Sequence, residues 1–267
     1  MSQALAVTPG SNVDLSKYDP RFVFDEYDKE ASKEKIAENA QLMADLCYRL
    51  YAEDRRSILL VLQGMDTAGK DGTIRHVMRG LNPQSCSVSS FKRPTEEELD
   101  HDFLWRIHKV APRRGDIGIF NRSHYEDVLV VRVHNIVPPE QWEKRYELIN
   151  SFEKSLSEAG TTIVKCFLHV SKDEQRERLQ ARLDDPSKLW KFSKGDLGER
   201  KLWDNYIEAY EAALTRCSTD HAPWHIIPSD RKWNRNLTVS NLLLKTMQDM
   251  DPQFPPAEGG LADVTVE

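Results

Sequence analysis

Short apolar runs alternate with longer amphipathic stretches along the chain, and that alternation predicts its elements. From Glu30 to Ala52 the residues Ile36, Ala40, Leu42, Met43, Leu46, Cys47 and Leu50 fall at helical spacing, so an amphipathic helix is expected. "SILLVLQ" (Ser57–Gln63) follows. It is short, continuously apolar and ends at a glycine, as a buried parallel strand should. "TIRHVMRGL" then predicts a helix stopped near Gly80 and Asn82–Pro83. Further strands are expected over Cys86–Phe91, Gly115–Phe120, Thr161–Val170 and Trp224–Ser229. Between them lie helical patterns. One opens at Thr95 with Glu98 three residues on, a capping box, and runs through "WRIHKV". A long one ends at Gly160 and another is capped by Ser171 with Glu174 three on. "GDLGERKLWDNYIEAYEAALTRC" and "NRNLTVSNLLLKTMQDM" complete the set.

Strands alternating with helices imply an α/β fold, a parallel sheet between helices. There is no internal repeat and no linker between two cores, so one domain is expected over 1–267. Its parts are an N-terminal arm and helix to about residue 55, a core over about 56–252, and a loose tail from about 253. Residues 1 to about 25, rich in Pro, Ser, Asp and Gly without a clear period, read as an arm outside the core.

Composition narrows the function classes. At 39% hydrophobic and 30% charged residues, the 267-residue chain can bury a sizeable core. No apolar run approaches the ~18 residues of a membrane span, and the N-terminus lacks the charged start and apolar block of a secretory signal. Cys47, Cys86, Cys166 and Cys217 form no CxxC pair, so reduced thiols in the cytoplasm are expected. A net charge of −6 argues against a nucleic-acid-coating surface but leaves room for a local basic groove.

The chemistry concentrates in two stretches. "VLQGMDTAGKDGT" places Gly64, Ala68, Gly69 and Lys70 as in a phosphate-binding loop, between an apolar strand and a helix. Glycines 64, 69 and 72 let the backbone curl so that its N–H groups and the helix N-terminus face an anion, and Lys70 adds a full charge. The hydroxyl expected after the lysine is missing: Asp71 stands there, and Thr73 is two positions late. Asp66, a carboxylate inside such a loop, makes sense facing a hard cation such as Mg²⁺; the alternative is a cap for its own turn. Asp71 either complements the helix dipole or reaches a metal through water.

In "GIFNRSHYEDVLVVRVH" a predicted strand ends at Phe120, so Asn121 and Arg122 fall at its carboxyl end, where parallel sheets bind ligands. Arg122 suits a bidentate grip on a phosphoryl oxygen; the alternative is a surface arginine beside a helix start. The strand-end aspartate usual in P-loop proteins is absent; Glu126 and Asp127 follow about a turn later, and the carboxylate role is expected to have moved to Asp127. No HExxH, Ser–His–Asp or Cys–His set is evident.

"GMDTAGKDGT", "SFKRPT", "FNRSHYEDVLV", "LWKFSKGDLGERKLWDNY" and "APWHIIPSDRKWNRN", in order from about Val61 to Asn236, together resemble the polyphosphate kinase type 2 family. The "NRSHYEDV" form is similar to the branch that accepts nucleoside mono- and diphosphates, rather than the "DRSWYNR" form of the diphosphate branch. The resemblance implies a thymidylate-kinase-like core with a helical lid, here about 172–201. It implies Mg²⁺, with Mn²⁺ as a substitute, held by Asp66 and Asp127. Lys70, Arg122, Asp66 and Asp127 would then be the catalytic set. Gly64, Ala68, Gly69, Lys70, Asp71, Gly72 and Thr73 would bind phosphate, joined by Lys92, Arg93, Arg178, Arg182 and Lys194 along a polyphosphate channel. Asn121, Arg122, Glu126, Arg113 and Arg114 would meet the nucleotide. Composition alone reads this segment as a solvated helix with ion pairs, since Glu174, Glu177, Asp184 and Asp185 interleave its bases, and it is the resemblance that implies the channel. Trp190, Phe192 and Trp203 either stack on a base or belong to the core.

The expected activity is reversible transfer from inorganic polyphosphate to AMP and ADP, with adenine or guanine nucleotides as acceptors, no nucleic-acid or membrane partner, and a homo-oligomeric assembly implied by the family. An ATP-dependent nucleoside or nucleotide kinase is the nearest rival. A non-catalytic phosphate-binding module is the rival from another class, but simple anion binding has no use for carboxylates beside Lys70 and Arg122.

Overall fold

The computed structural model describes residues 5–23, 27–259 and 266. Its strands are β1 (Leu5–Ala6), β2 (Ser57–Gln63), β3 (Cys86–Ser90), β4 (Ile117–Asn121), β5 (Thr161–His169) and β6 (Trp224–Pro228). They form one sheet in the order β1-β6-β5-β2-β4-β3. All pairings are parallel except β1 on β6. Every residue of β2 is buried, which is why its sequence is unbroken by polar positions until Gln63.

Among the described residues ten α-helices accompany the sheet: α1 (Lys29–Glu53), α2 (Lys70–Val77), α3 (Glu96–Leu99), α4 (Trp105–His108), α5 (Val130–Val133), α6 (Pro139–Glu158), α7 (Lys172–Leu183), α8 (Lys194–Lys201), α9 (Trp203–Cys217) and α10 (Lys232–Met250). Met43, Cys47 and Leu50 of α1 are buried, and α1 packs on α10. Asp28 caps α1 by accepting from the Glu30 and Ala31 amides. Among the described residues the buried apolar side chains of sheet and helices, Leu179 and Leu237 apart, belong to one contiguous core.

Three expectations need correction. The arm is part of the core: Val7, Val13 and Leu15 are buried, β1 extends the sheet, and the Leu15 amide donates to Glu211 at 2.7 Å. A two-residue strand is too short to show a period. The helix expected from Thr95 through Val110 is two short helices. Its capping box forms, but Asp102 accepts from the Leu104 amide and starts a new turn. The helix expected from Gly195 to Cys217 breaks at Leu202, which ends α8 and begins α9. The arm's residues 1–4 and 24–26, and 260–265 and 267 of the expected tail, lie outside the described residues. Within the described part of that tail, Phe254 is held: it packs edge-on against Tyr48, with ring centroids 5.7 Å apart.

Candidate active site

Because β2 pairs with β4 in parallel, Leu62 opposite Asn121, the glycine loop after β2 and the "NRS" turn after β4 emerge side by side at the carboxyl edge of the sheet. The loop fits tightly there. Gly64 has φ +153°, and a Cβ on it would lie 2.7 Å from the Leu168 carbonyl oxygen of β5. Gly69 caps α2 in the left-handed region. Lys70 is buried and donates to the carbonyl oxygens of Gly64 (2.7 Å) and Met65 (3.3 Å). Burial, helped by Arg122, lowers its ammonium to about 8, against the pull of Asp66, Glu126 and Asp71.

Asp71 Oδ1 accepts a hydrogen bond from the Asn121 side-chain Nδ2 at 2.7 Å. Hydroxyl-after-lysine and aspartate-at-strand-end are the usual P-loop pair. Here the carboxylate stands after the lysine and the neutral group at the strand end. Thr73 does not replace the missing hydroxyl, because its Oγ1 donates to the Gly69 carbonyl within its own helix. Arg122 has φ +62°, a left-handed conformation that costs of order 1–3 kcal/mol for a bulky residue. That conformation is held by the Arg122 amide donating to Leu62 O (3.0 Å) and by Nη2 donating to Asp66 Oδ1 (2.8 Å).

The turn that carries Arg122 is anchored from the core. Gln63 donates to Ser123 Oγ at 3.1 Å, and Ser123 accepts from the Tyr125 amide. The next two side chains point inward, where His124 Nε2 (3.1 Å) and Tyr125 OH (2.9 Å) both reach Glu153 Oε1. Lys165 Nζ lies 2.6 Å from Glu153 Oε2, and neither side chain is exposed at all. Burial lowers the His124 pKa, so the neutral ring donates to the carboxylate. Glu153 and Lys165 were not recognisable as site-supporting residues in the sequence: one is a helix residue and the other interrupts an apolar strand.

Two cavities open around this framework and share Asp66 and Arg122. The larger, about 860 Å³, is lined by the loop, β3 and β4 ends, and the segment 172–196, with eight basic and five acidic side chains, so its balance is cationic. The smaller, about 210 Å³, is lined by Asp66, Glu126 and Glu199 against Arg122, with Tyr206 and Tyr210, so its balance is anionic. Burial raises the Glu126 carboxyl, opposed by Arg122 and Lys70.

The expected residues divide accordingly. Asp66, Gly69, Lys70, Asp71, Gly72, Lys92, Asn121, Arg122, Arg178 and Arg182 line the larger cavity; Gly64 and Glu126 line the smaller. Ala68 is buried behind the loop. Asp127 lines neither: its carboxylate meets Arg145 (2.8 Å) and Arg106 (3.8 Å), and burial outweighs both guanidinium groups to push it up to about 6. The short helical turn His124–Asp127 aims Glu126, not Asp127, at the site. Arg113 and Arg114 precede β4 and so sit at the opposite, amino edge of the sheet, where Arg113 pairs with Asp116 at 2.7 Å. Arg178 borders the cavity, yet its five donors are engaged by Glu174 and by the carbonyls of Thr67, Ala68, Ser229 and Asp230. It clamps the loop. Arg93 and Lys194 are exposed and line neither cavity. After α7 ends at Leu183, Pro186 opens a short 3-10 helix to Lys191. Trp190, 78% exposed, lines the larger cavity, whereas Trp203 is core. Lys232, from the start of α10, also lines the larger cavity; it lies in the "APWHIIPSDRKWNRN" stretch, but the sequence assigned it no role in the site.

The donor set suits Mg²⁺. Asp66 and Asp71 offer hard carboxylate oxygens, and the buried Thr67 Oγ1 in the same loop has no hydrogen-bond partner. Among the described residues no three His, Cys, Asp or Glu side chains gather as a metal cage. One or two carboxylates with substrate phosphates is how Mg²⁺ is usually held. No helix of the described residues is long and apolar enough to cross a membrane.

The chain is 50% identical over 263 residues to an AMP/ADP-polyphosphate phosphotransferase of Meiothermus ruber, covering 98% of each chain. It is 47% identical over 262 residues to an ADP-polyphosphate phosphotransferase of Rhodopseudomonas palustris, covering 93% of this chain and 90% of the relative. The crystal structure of polyphosphate kinase 2 from Arthrobacter aurescens superposes with a TM-score of 0.93 at 45% identity, over 96% of this chain and 93% of the other. The fold is therefore the P-loop-kinase-like α/β fold. The family model for polyphosphate kinase 2 matches residues 26–255, and the chain belongs to that family.

Proposed function

We propose that the protein is an AMP/ADP-polyphosphate phosphotransferase. The observation that carries this is the Asp66–Arg122 pair at the junction of a cationic and an anionic cavity, beside a lysine-bearing glycine loop. Polyphosphate is a long polyanion, and the larger cavity has the charge and length of lining to take it, along Lys92, Arg182, Lys188, Lys191 and Lys232. Its terminal residue reaches the loop, where α2's N-terminal N–H groups and Lys70 neutralise it. The nucleotide brings its terminal phosphate to Arg122 from the other side.

A nucleotide's terminal phosphate has a second pKa of about 6, so its oxygen is already ionised at neutral pH. That oxygen attacks the terminal phosphorus of the chain. A new P–O bond forms as the bridging P–O bond breaks, and the shortened chain leaves with the electron pair. No proton needs to move, so no general base or acid is required. The residues supply in-line positioning and charge neutralisation. Mg²⁺, or Mn²⁺ with its similar taste for oxygen ligands, would be held by Asp66, the carboxylate common to both cavities, with Asp71 and Glu126 flanking it one in each. When bound, the ion supplies neutralisation of phosphoryl oxygens. AMP becomes ADP, ADP becomes ATP, and the reaction is reversible. Guanine nucleotides and a homo-oligomeric state belong to the same reading.

A donor exchange tests it. Purified protein with Mg²⁺ should convert AMP and ADP with polyphosphate, and should not phosphorylate a nucleoside with ATP. The reverse pattern points to an ordinary ATP-dependent kinase; neither conversion points to a binding module.

A further inference from the structure

Two guanidinium groups lie behind the glycine loop. Arg178 has a carboxylate partner, Glu174, at 2.8 Å. Arg235, on α10, is more deeply buried and differs in its partners. Its Nη1 donates to the Ala68 carbonyl at 2.9 Å, and its Nε and Nη2 donate to the Asn236 side-chain oxygen at 3.2 and 2.9 Å. All are neutral acceptors. Among the described residues no carboxylate comes within ion-pair distance of Arg235, and its charged neighbour is Arg178. Burial, then Arg178, lowers the guanidinium to about 9. Lys232, one turn earlier on α10, is lowered first by burial and then by Arg178, Arg235 and Lys188, with Glu174 opposing.

Burying an ionised group without a counter-charge is costly, and hydrogen bonds to neutral acceptors offset only part of the cost. Bracing the Ala68 carbonyl does not explain the charge, because an amide or hydroxyl donor could do that. Its position does explain it. A Cβ on Gly69 would stand 1.9 Å from Arg235 Nη1, and a Cβ on Gly72 would stand 3.3 Å from Nη2. The guanidinium therefore lies against the backbone that starts α2, and Gly69 and Gly72 themselves line the larger cavity. Only the loop's own main chain separates the buried cation from the space where a phosphate would sit. In such a poorly solvated place the attraction between them is strong.

We propose that Arg235 is an electrostatic positioning residue of the phosphate site, whose counter-ion is the phosphate held on the other face of the glycine loop. Gly69 and Gly72 leave the room that lets its guanidinium reach the back of that loop. The inference rests on the reading of the loop as a phosphate site, and not on which donor or acceptor the enzyme uses.

The test is the affinity of inorganic tripolyphosphate by titration calorimetry, with the melting temperature of the free protein, for the parent, Arg235→Met and Arg235→Lys. Losing a charge-assisted contact should weaken tripolyphosphate binding by about tenfold or more in Arg235→Met. The free Arg235→Met protein should melt at or above the parent's temperature, because an uncompensated buried charge is gone. Arg235→Lys, which keeps the charge but not the fork, should recover most of the affinity. Unchanged binding in Arg235→Met overturns the proposal. So does a free Arg235→Met protein that melts well below the parent or fails to fold, since Arg235 is then a structural brace. Arg235→Lys as weak as Arg235→Met assigns the effect to geometry and also overturns it. A parent that does not bind tripolyphosphate overturns it too, whereas failure of polyphosphate-driven nucleotide phosphorylation with intact tripolyphosphate binding bears on the activity alone.

Discussion

Lys70 is held under opposed pressures: burial drives its proton off while three nearby carboxylates retain it. With its pKa lowered from 10.5 to about 8, the free protein loses this charge as pH rises through about 8. Two consequences follow from the sign. The unfolded chain binds more protons than the folded one between those values, so this group's penalty on stability is present below about pH 8 and is relieved as pH rises toward 10.5. Phosphate affinity should move oppositely, weakening above that pH. Titration of tripolyphosphate across the range should show this in the parent beyond the ligand's own ionisation, and Lys70→Met should remove the difference. A parent and variant with parallel pH profiles would contradict it. Asp66→Asn removes the carboxylate common to both cavities and is expected to lower kcat by about a hundredfold or more; initial rates check this, and near-parental rates would remove Asp66 from the metal site. Gly64, Gly69, Lys70 and Arg122 were legible because a phosphate loop and a strand end have fixed spacing. Asp127 was not, because a 3-10 turn reverses which of two adjacent carboxylates faces the site, and residue spacing does not encode that turn. The Asp71–Asn121 contact joins positions fifty residues apart and becomes visible only once β2 and β4 are side by side.

Among elements, the short turn after β4 depends on α6 and β5. Glu153 of α6 receives His124, Tyr125 and Lys165 in a space with no exposure. Glu153→Leu leaves the Lys165 ammonium buried without its carboxylate and should cost about 3–5 kcal/mol. Urea unfolding measures it, and a loss below about 1 kcal/mol would show that the pair is not needed. Glu153 itself has a lowered pKa: burial opposes its charge, but Lys165 and His124 outweigh that. Its stabilising contribution is therefore complete above the unfolded value of 4.5 and is lost as pH falls through the lower folded value. At this scale the sequence was a good guide to strands and long helices, whose period spans many residues. It did not locate the breaks near Asp102 and Leu202, where a single side-chain cap or backbone turn decides the outcome. Nor did it place β1, whose two residues gain their structure only from the β6 edge.

For the whole molecule, the sheet order turns two distant motifs into one site and sets a cationic cavity against an anionic one. The basic walls come from β3's end, the segment 172–196 and the start of α10, so the polyanion's attraction is summed over many exposed charges. Such charges are screened over about 8 Å at physiological ionic strength. The KM for polyphosphate should therefore rise with added salt more steeply than the KM for ADP, which steady-state kinetics at several salt concentrations will read; equal slopes would argue against a charge-lined channel. The central claim, direct transfer from chain to nucleotide at the Asp66–Arg122 junction, is tested most directly by phosphorus NMR of the protein with Mg²⁺, ADP and polyphosphate. The account predicts one new γ-phosphate on ATP for each phosphate lost from the chain, without orthophosphate, and no transfer by Lys70→Ala. Orthophosphate accumulating without ATP, or full transfer by the Lys70→Ala variant, would contradict it.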